Sequence, residues 1–93
     1  MDEPLEPDAA RNLIREILRA GRFIYSKHAK EEMLADGLTT VDCENVLRGG
    51  GVRPGEFEHG TWRYRVATSR IAVVVAFRSE HELVVVTTWR IGR

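Results

Sequence analysis

Apolar positions in the second half of the chain fall into runs with strand spacing, and the middle run organises the rest. Ile71-Ala-Val-Val-Val-Ala-Phe77 has no polar side chain, is too short for a stable lone helix and is rich in β-branched residues. It predicts a strand buried on both faces, in the middle of a sheet. Trp62–Ala67 and Leu83–Trp89 are its predicted neighbours. Glu58-His59-Gly60, Thr68-Ser69-Arg70 and Ser79-Glu80-His81-Glu82 carry turn chemistry. Val52–Glu58 contains Pro54 and Gly55, which point to an edge or bulged strand. About four strands joined by short loops predict an antiparallel meander.

The first half has helical spacing. Met1–Pro7, with two prolines and three acids, predicts a flexible tail. Asp8 is the predicted cap of a helix over 8–20, stopped by Gly21, with Leu13, Ile14, Ile17 and Leu18 as its apolar stripe. Arg11, Arg15 and Arg19 form a second row, either a solvated face or a phosphate or partner surface. Arg22–Tyr25 is a short extended segment. Ser26 caps a helix from Lys27 to Asp36, closed by Gly37. Thr39-x-x-Asp42 resembles a capping box and opens a third helix to about Leu47. There Cys43, Val46 and Leu47 share one face, so Cys43 is a buried small hydrophobe. The pattern is that of one α+β domain over 1–93, with two to three N-terminal helices packed on one face of a curved antiparallel sheet.

Alternation assigns the faces. Trp62, Tyr64 and Val66, then Ile71, Val73, Val75 and Phe77, then Leu83, Val85, Thr87 and Trp89 are the bulky sets that would pack under the helices. The other face would then carry Ala and Val edged by Arg63, Arg65 and Arg90. Two readings stay open: an anion-binding patch, or arginine stems covering apolar sheet with their heads in water.

Composition narrows this picture. Formal net charge is zero, so whole-protein charge does not advertise a nucleic-acid binder. Charge is unevenly spread, however. Residues 1–8 are acidic, while Arg63, Arg65, Arg70, Arg78, Arg90 and Arg93 lie in the second half. The single cysteine excludes an internal disulfide and suits a reducing cytoplasm. An acidic N-terminus does not read as a secretory signal, and no apolar run is long enough for a membrane span.

Several chemistries lack their motifs. Gly49–Gly51 is followed by Val-Arg-Pro, not the Lys-Ser/Thr of a phosphate loop. His28, His59, His81 and Cys43 lie apart from metal-ligand spacing, so no metal or cofactor is expected. No serine nucleophile elbow occurs. Histidine, arginine and tyrosine remain, a set suited to work on phosphodiesters. RNA cleavage needs a proton carrier for the 2′-OH and cations for the charge growing on phosphate. His28, in the first turn of the second predicted helix beside Lys27 and Lys30, is the best candidate. Its alternative is a capping histidine. His59 and His81 fall in predicted turns.

Tyr25-Ser26-x-His28-Ala29-x-x-x-Met33, Gly37-Leu38-Thr39-Thr40-x-Asp42, Arg63-Tyr64-Arg65-Val66 and Val85-Val86-Thr87-Thr88-Trp89 together resemble a family of small bacterial domains of unknown function, numbered forty-two fifty-eight. The resemblance spans residues 22–90. That family is similar to RelE-like toxins, in particular to MqsR-type mRNA interferases. It implies a RelE-like fold, a metal-independent endoribonuclease toxin acting on mRNA, and a zinc-finger-type antitoxin as protein partner. On matching positions it implies His28 and Arg63, with Arg65 adjacent, as catalytic residues; Lys27, Lys30 and Arg90 are the residues expected to contact RNA. Two departures stand out: the chain is neutral where such toxins are basic, and the arginine usual beside the helix methionine is absent around Met33. A non-catalytic protein-binding module of the same fold is the alternative.

Overall fold

The computed structural model describes residues 1–92; Arg93 lies outside them. Three helices, α1 (Pro7–Ala20), α2 (Lys27–Asp36) and α3 (Thr40–Gly49), are joined to six strands. The strands are β1 (Arg22–Tyr25), β2 (Gly51–Val52), β3 (Glu56–Glu58), β4 (Thr61–Ala67), β5 (Ile71–Ser79) and β6 (Glu82–Arg90). The sheet runs β1-β6-β5-β4-β2, with β3 paired to the outer part of β4. The all-apolar run is indeed central, flanked by β4 and β6 in antiparallel register.

The expected sheet of about four antiparallel strands is corrected in two ways. It has six strands, and it is mixed, because β1 pairs with β6 in parallel. The cause lies at Gly21. The α1 chain leaves there against the β5–β6 turn, and Arg22 N donates to His81 O at 2.8 Å, which sets the next four residues along β6.

Helix boundaries follow local chemistry. Ser26 Oγ accepts from Ala29 N at 3.0 Å, and Gly37 closes α2 in the left-handed region at φ 66°. Thr39 and Asp42 form a reciprocal capping box, Asp42 N to Thr39 Oγ1 at 3.1 Å and Thr39 N to Asp42 Oδ2 at 2.8 Å. Asp8 is not the cap of α1. Glu6 takes that position with Pro7 in the first turn, and Asp8 sits one residue inside, where its carboxylate favours the helix dipole.

The core lies between helices and sheet. Ala10, Ile14 and Ile17 of α1, Ala29 and Met33 of α2, and Cys43, Val46 and Leu47 of α3 meet Tyr64, Val66, Val73, Val75, Leu83 and Val85. The N-terminal segment is docked, not free. Leu5 packs against this core, Leu5 N donates to Tyr64 Oη at 2.9 Å, and Tyr64 Oη donates to Glu3 Oε2 at 2.8 Å.

One irregularity reverses the predicted faces at the end of β6. Val74 pairs with Thr87 but Val75 pairs with Val85, so Val86 is an extra residue, a β-bulge. Beyond it the alternation changes phase. Thr88 is fully buried on the helix side and donates to Ala72 O at 2.8 Å. Trp89, predicted under the helices, stands on the open face. Arg90, predicted on the open face, turns to the helix layer.

Candidate functional site on the open sheet face

Among the described residues no helix covers the second face of the sheet. Two cross-strand rows define it, Arg65–Val74–Thr87 and Ala67–Ala72–Trp89, each running β4 to β5 to β6. Arg65 and Trp89 sit on strands separated by β5, about 10 Å apart at the backbone. Their side chains nevertheless meet, with the Arg65 guanidinium 5.2 Å from the Trp89 ring centre. The residue beneath them is Ala72, whose small side chain lets two long ones close across the middle strand. Ala72 is fully buried although it lies outside the helix-side core cluster, and this lid explains it. Arg53 stands beside Arg65, its N–H donating to Arg65 O at 2.9 Å, and the two with Pro54, Gly55 and Glu56 line a shallow hollow of about 290 Å³.

The other rim of this face is α2. β1 pairs only with Glu82–Val85, so the rest of the β6 edge would be bare. Helix α2 covers it. Ser26 Oγ donates to Val86 O at 2.8 Å at one end, and Arg90 N donates to Asp36 Oδ2 at 3.2 Å at the other. With Ala29 and Met33 turned into the core, the 3.6-residue repeat puts Lys30 and Leu34 on one flank and His28 and Glu32 on the other. Lys30 and Leu34 line a groove with Tyr25, Leu38 and Thr39, within the helix layer. His28 and Glu32 therefore flank the open sheet. His28 is largely exposed, with Nε2 4.0 Å from Glu32 Oε1, a pair that is ionic only when the imidazole is protonated.

The candidate residues separate accordingly. His28 stands at the Val86 end of α2, whereas Arg65 reaches across to Trp89, next to Arg90 and the Asp36 end of the helix. Arg63 shares the face but lies farther out, with Nε donating to Thr61 Oγ1 at 3.3 Å and Glu56 opposite it on β3. Lys30 turns into the helix-layer groove, and Lys27 is exposed in the first turn of α2. Arg90 is the clear correction. Its Nε donates to Asp36 O at 2.8 Å and its Nη2 to Gly37 O at 3.3 Å, closing the C-terminal end of α2.

Other titratable groups are structural. Burial pushes the Tyr64 phenol up to about 12, with the Glu3 carboxylate adding to the shift. Burial also raises Tyr25 and the Cys43 thiol, so neither ionises readily. His59 has φ 49° and is followed by Gly60 at φ 80°, the two central residues of a tight turn between β3 and β4.

The family model described as Domain of unknown function (DUF4258) matches residues 25–90. The chain belongs to this family. Among curated proteins and among solved structures nothing matches it. The DUF4258 match begins at Tyr25, so α1 and most of β1 precede it, while every residue of the open face described above lies within it. Sequence reasoning missed Trp89 and Arg53 as members of that face. Val84-Val85-Val86-Thr87-Thr88 is uniformly β-branched, so nothing in it marks where the alternation slips. Arg53 sits beside Pro54 in a segment too short to give a face. Among the described residues no helix is long and apolar enough to cross a membrane.

Proposed function

We propose that this DUF4258 protein is an mRNA-cleaving endoribonuclease of the RelE-like, MqsR type, acting in the cytoplasm as the toxin of a toxin–antitoxin pair. His28 carries the proton. It takes the 2′-OH proton as O2′ attacks the neighbouring phosphorus, the P–O5′ bond breaks with the leaving O5′ taking a proton from water, and a 2′,3′-cyclic phosphate and a 5′-OH end result. Arg65, with Arg63 farther along β4, offsets the charge that builds on the phosphate oxygens. The observation that supports the reading best is the exposed Arg65 guanidinium on the uncovered sheet face, over Trp89 of β6, the strand whose edge α2 borders. Purified protein is expected to cut mRNA and its expression to arrest growth, with His28→Ala slowing cleavage about 100-fold or more. An inert wild-type protein, indistinguishable from His28→Ala in both assays, would end this reading.

A second reading, a protein-binding module, is favoured by a different observation. Leu34 is 86% exposed and Val41 61% exposed, beside the helix-layer groove of Tyr25, Leu38 and Thr39. An antitoxin polypeptide seated there would satisfy both readings at once. Co-purification with an encoded neighbour, lost in Leu34→Glu, is the expected outcome.

A further inference from the structure

We propose that Trp89 is a stacking platform for one unpaired base of an RNA strand and that Arg65 is its displaceable cover. The inference rests on the reading of the open face as an RNA site. The bulge at Val86 is what brings the indole to this face. Without the extra residue, unbroken alternation would turn Trp89 under the helices. Around the ring the chain keeps small residues. Ala72 and Ala67 occupy the same cross-strand row, so beside Trp89 no bulky side chain of that row stands between β6 and β4.

Arg65 now lies over that ring, exposed, at 5.2 Å from its centre. This is a loose contact in a solvated place, where cation–π attraction is weak, whereas a base stacked on an aromatic ring gains more. An incoming base can therefore replace the guanidinium. Once displaced, Arg65 swings back toward β4, where Arg53 stands beside it at the hollow of Pro54 and Gly55. Two guanidinium groups there would meet the phosphate next to the stacked base. Glu56 lines the same hollow and Glu58 lies farther out opposite Thr61, so two guanidinium groups face one carboxylate at the Arg53–Arg65 end and the balance favours an anion there over the outer part of β4. A duplex cannot use this platform, since its base faces are covered by neighbours.

The test uses the full chain carrying Trp62→Phe, which leaves Trp89 as its only tryptophan. The probe is a single-stranded RNA octamer with 2′-O-methyl sugars, which cannot be cleaved, compared with the same strand in a duplex and with a free nucleoside monophosphate. Indole emission is expected to fall on adding the octamer and to stay unchanged with the duplex. The nucleoside monophosphate is expected to act only at far higher concentration, because it lacks the neighbouring phosphates. In otherwise native protein Trp89→Ala should weaken octamer binding about tenfold, and Trp89→Phe, which keeps a ring, should recover most of it. Equal binding by Trp89→Ala, equal quenching by the duplex, or no quenching at saturating octamer would each overturn the platform. Its failure is separable from that of the ribonuclease. Quenching without any cleavage of unmodified RNA leaves the platform and removes the enzyme. Cleavage that Trp89→Ala and Trp89→Phe perform as well as the native protein does the reverse.

Discussion

The Tyr64 hydroxyl donates to Glu3 Oε2 at 2.8 Å and accepts from Leu5 N at 2.9 Å, so a residue in the middle of the sheet holds the first residues of the chain. Tyr64→Phe removes both bonds and leaves the Leu5 N–H without its partner. Stability in urea should fall by about 1 to 2 kcal/mol. The phenol also makes a pH prediction. Its pKa rises from 10.0 to about 12 on folding, so the neutral form is the one favoured by the fold. That contribution is complete below pH 10 and is lost as pH climbs from 10 to 12. A native protein with constant stability across this window, or a Tyr64→Phe variant that loses as much as the native one, would contradict the assignment.

Gly21 is required by space and not by φ. A Cβ there would lie 2.5 Å from His81 O, the carbonyl that receives the Arg22 N–H and starts the β1–β6 pairing. Gly21→Ala must push α1 away from the β5–β6 turn or break that bond. The expected cost is about 2 kcal/mol, of the kind that overpacking produces. Amide exchange should show the loss locally, with the Phe23–Tyr25 amides less protected while the β4–β5 pairing stays protected.

Ser26 serves two elements with one hydroxyl, capping α2 through Ala29 N and donating to Val86 O on the β6 edge. Ser26→Ala should cost about 1 to 2 kcal/mol, more than a helix cap alone in a peptide, because the Val86 carbonyl also loses its donor. Ser26→Thr keeps the hydroxyl and should recover at least half of that loss. Equal unfolding midpoints for the alanine variant and the native protein would mean that the edge bond contributes nothing.

These residues also mark how far the chain can be read without coordinates. The central strand, the Ser26 cap, the Thr39–Asp42 box and the Gly37 terminator are local events, set within four residues, and all are found where the pattern puts them. The interior positions of Tyr64 and Cys43 follow from the same spacing. What escapes is non-local or phase-shifting. Arg22–Tyr25 has four residues and pairs with a strand some sixty positions away, so nothing near it signals a parallel edge. The Val86 bulge lies inside a run of like residues, and one extra residue there exchanges the faces of Trp89 and Arg90. The outward placement of His28 on α2 and of Arg65 on the open face was therefore legible, but the arrival of Trp89 beside Arg65 was not.

Arg65 and Arg90 share a residue type and a predicted face, yet the structure gives them different surroundings, and this is open to a paired experiment. Arg90 binds two carbonyl oxygens at the end of α2, at 2.8 and 3.3 Å. Arg90→Ala should lower stability by about 1 kcal/mol, since it removes hydrogen bonds from a charged donor at a helix C-terminus. Octamer binding should stay within about twofold of native once the protein is folded. Arg65 makes only a loose contact with Trp89 on an exposed face, worth about 0.5 to 1 kcal/mol at most. Arg65→Ala should therefore unfold nearly like the native protein. It should bind the octamer more weakly, with a salt dependence reduced by about one phosphate contact. Arg90→Ala weakening RNA binding as much as Arg65→Ala would place the ligand on the helix side of the sheet and empty the open face of its role.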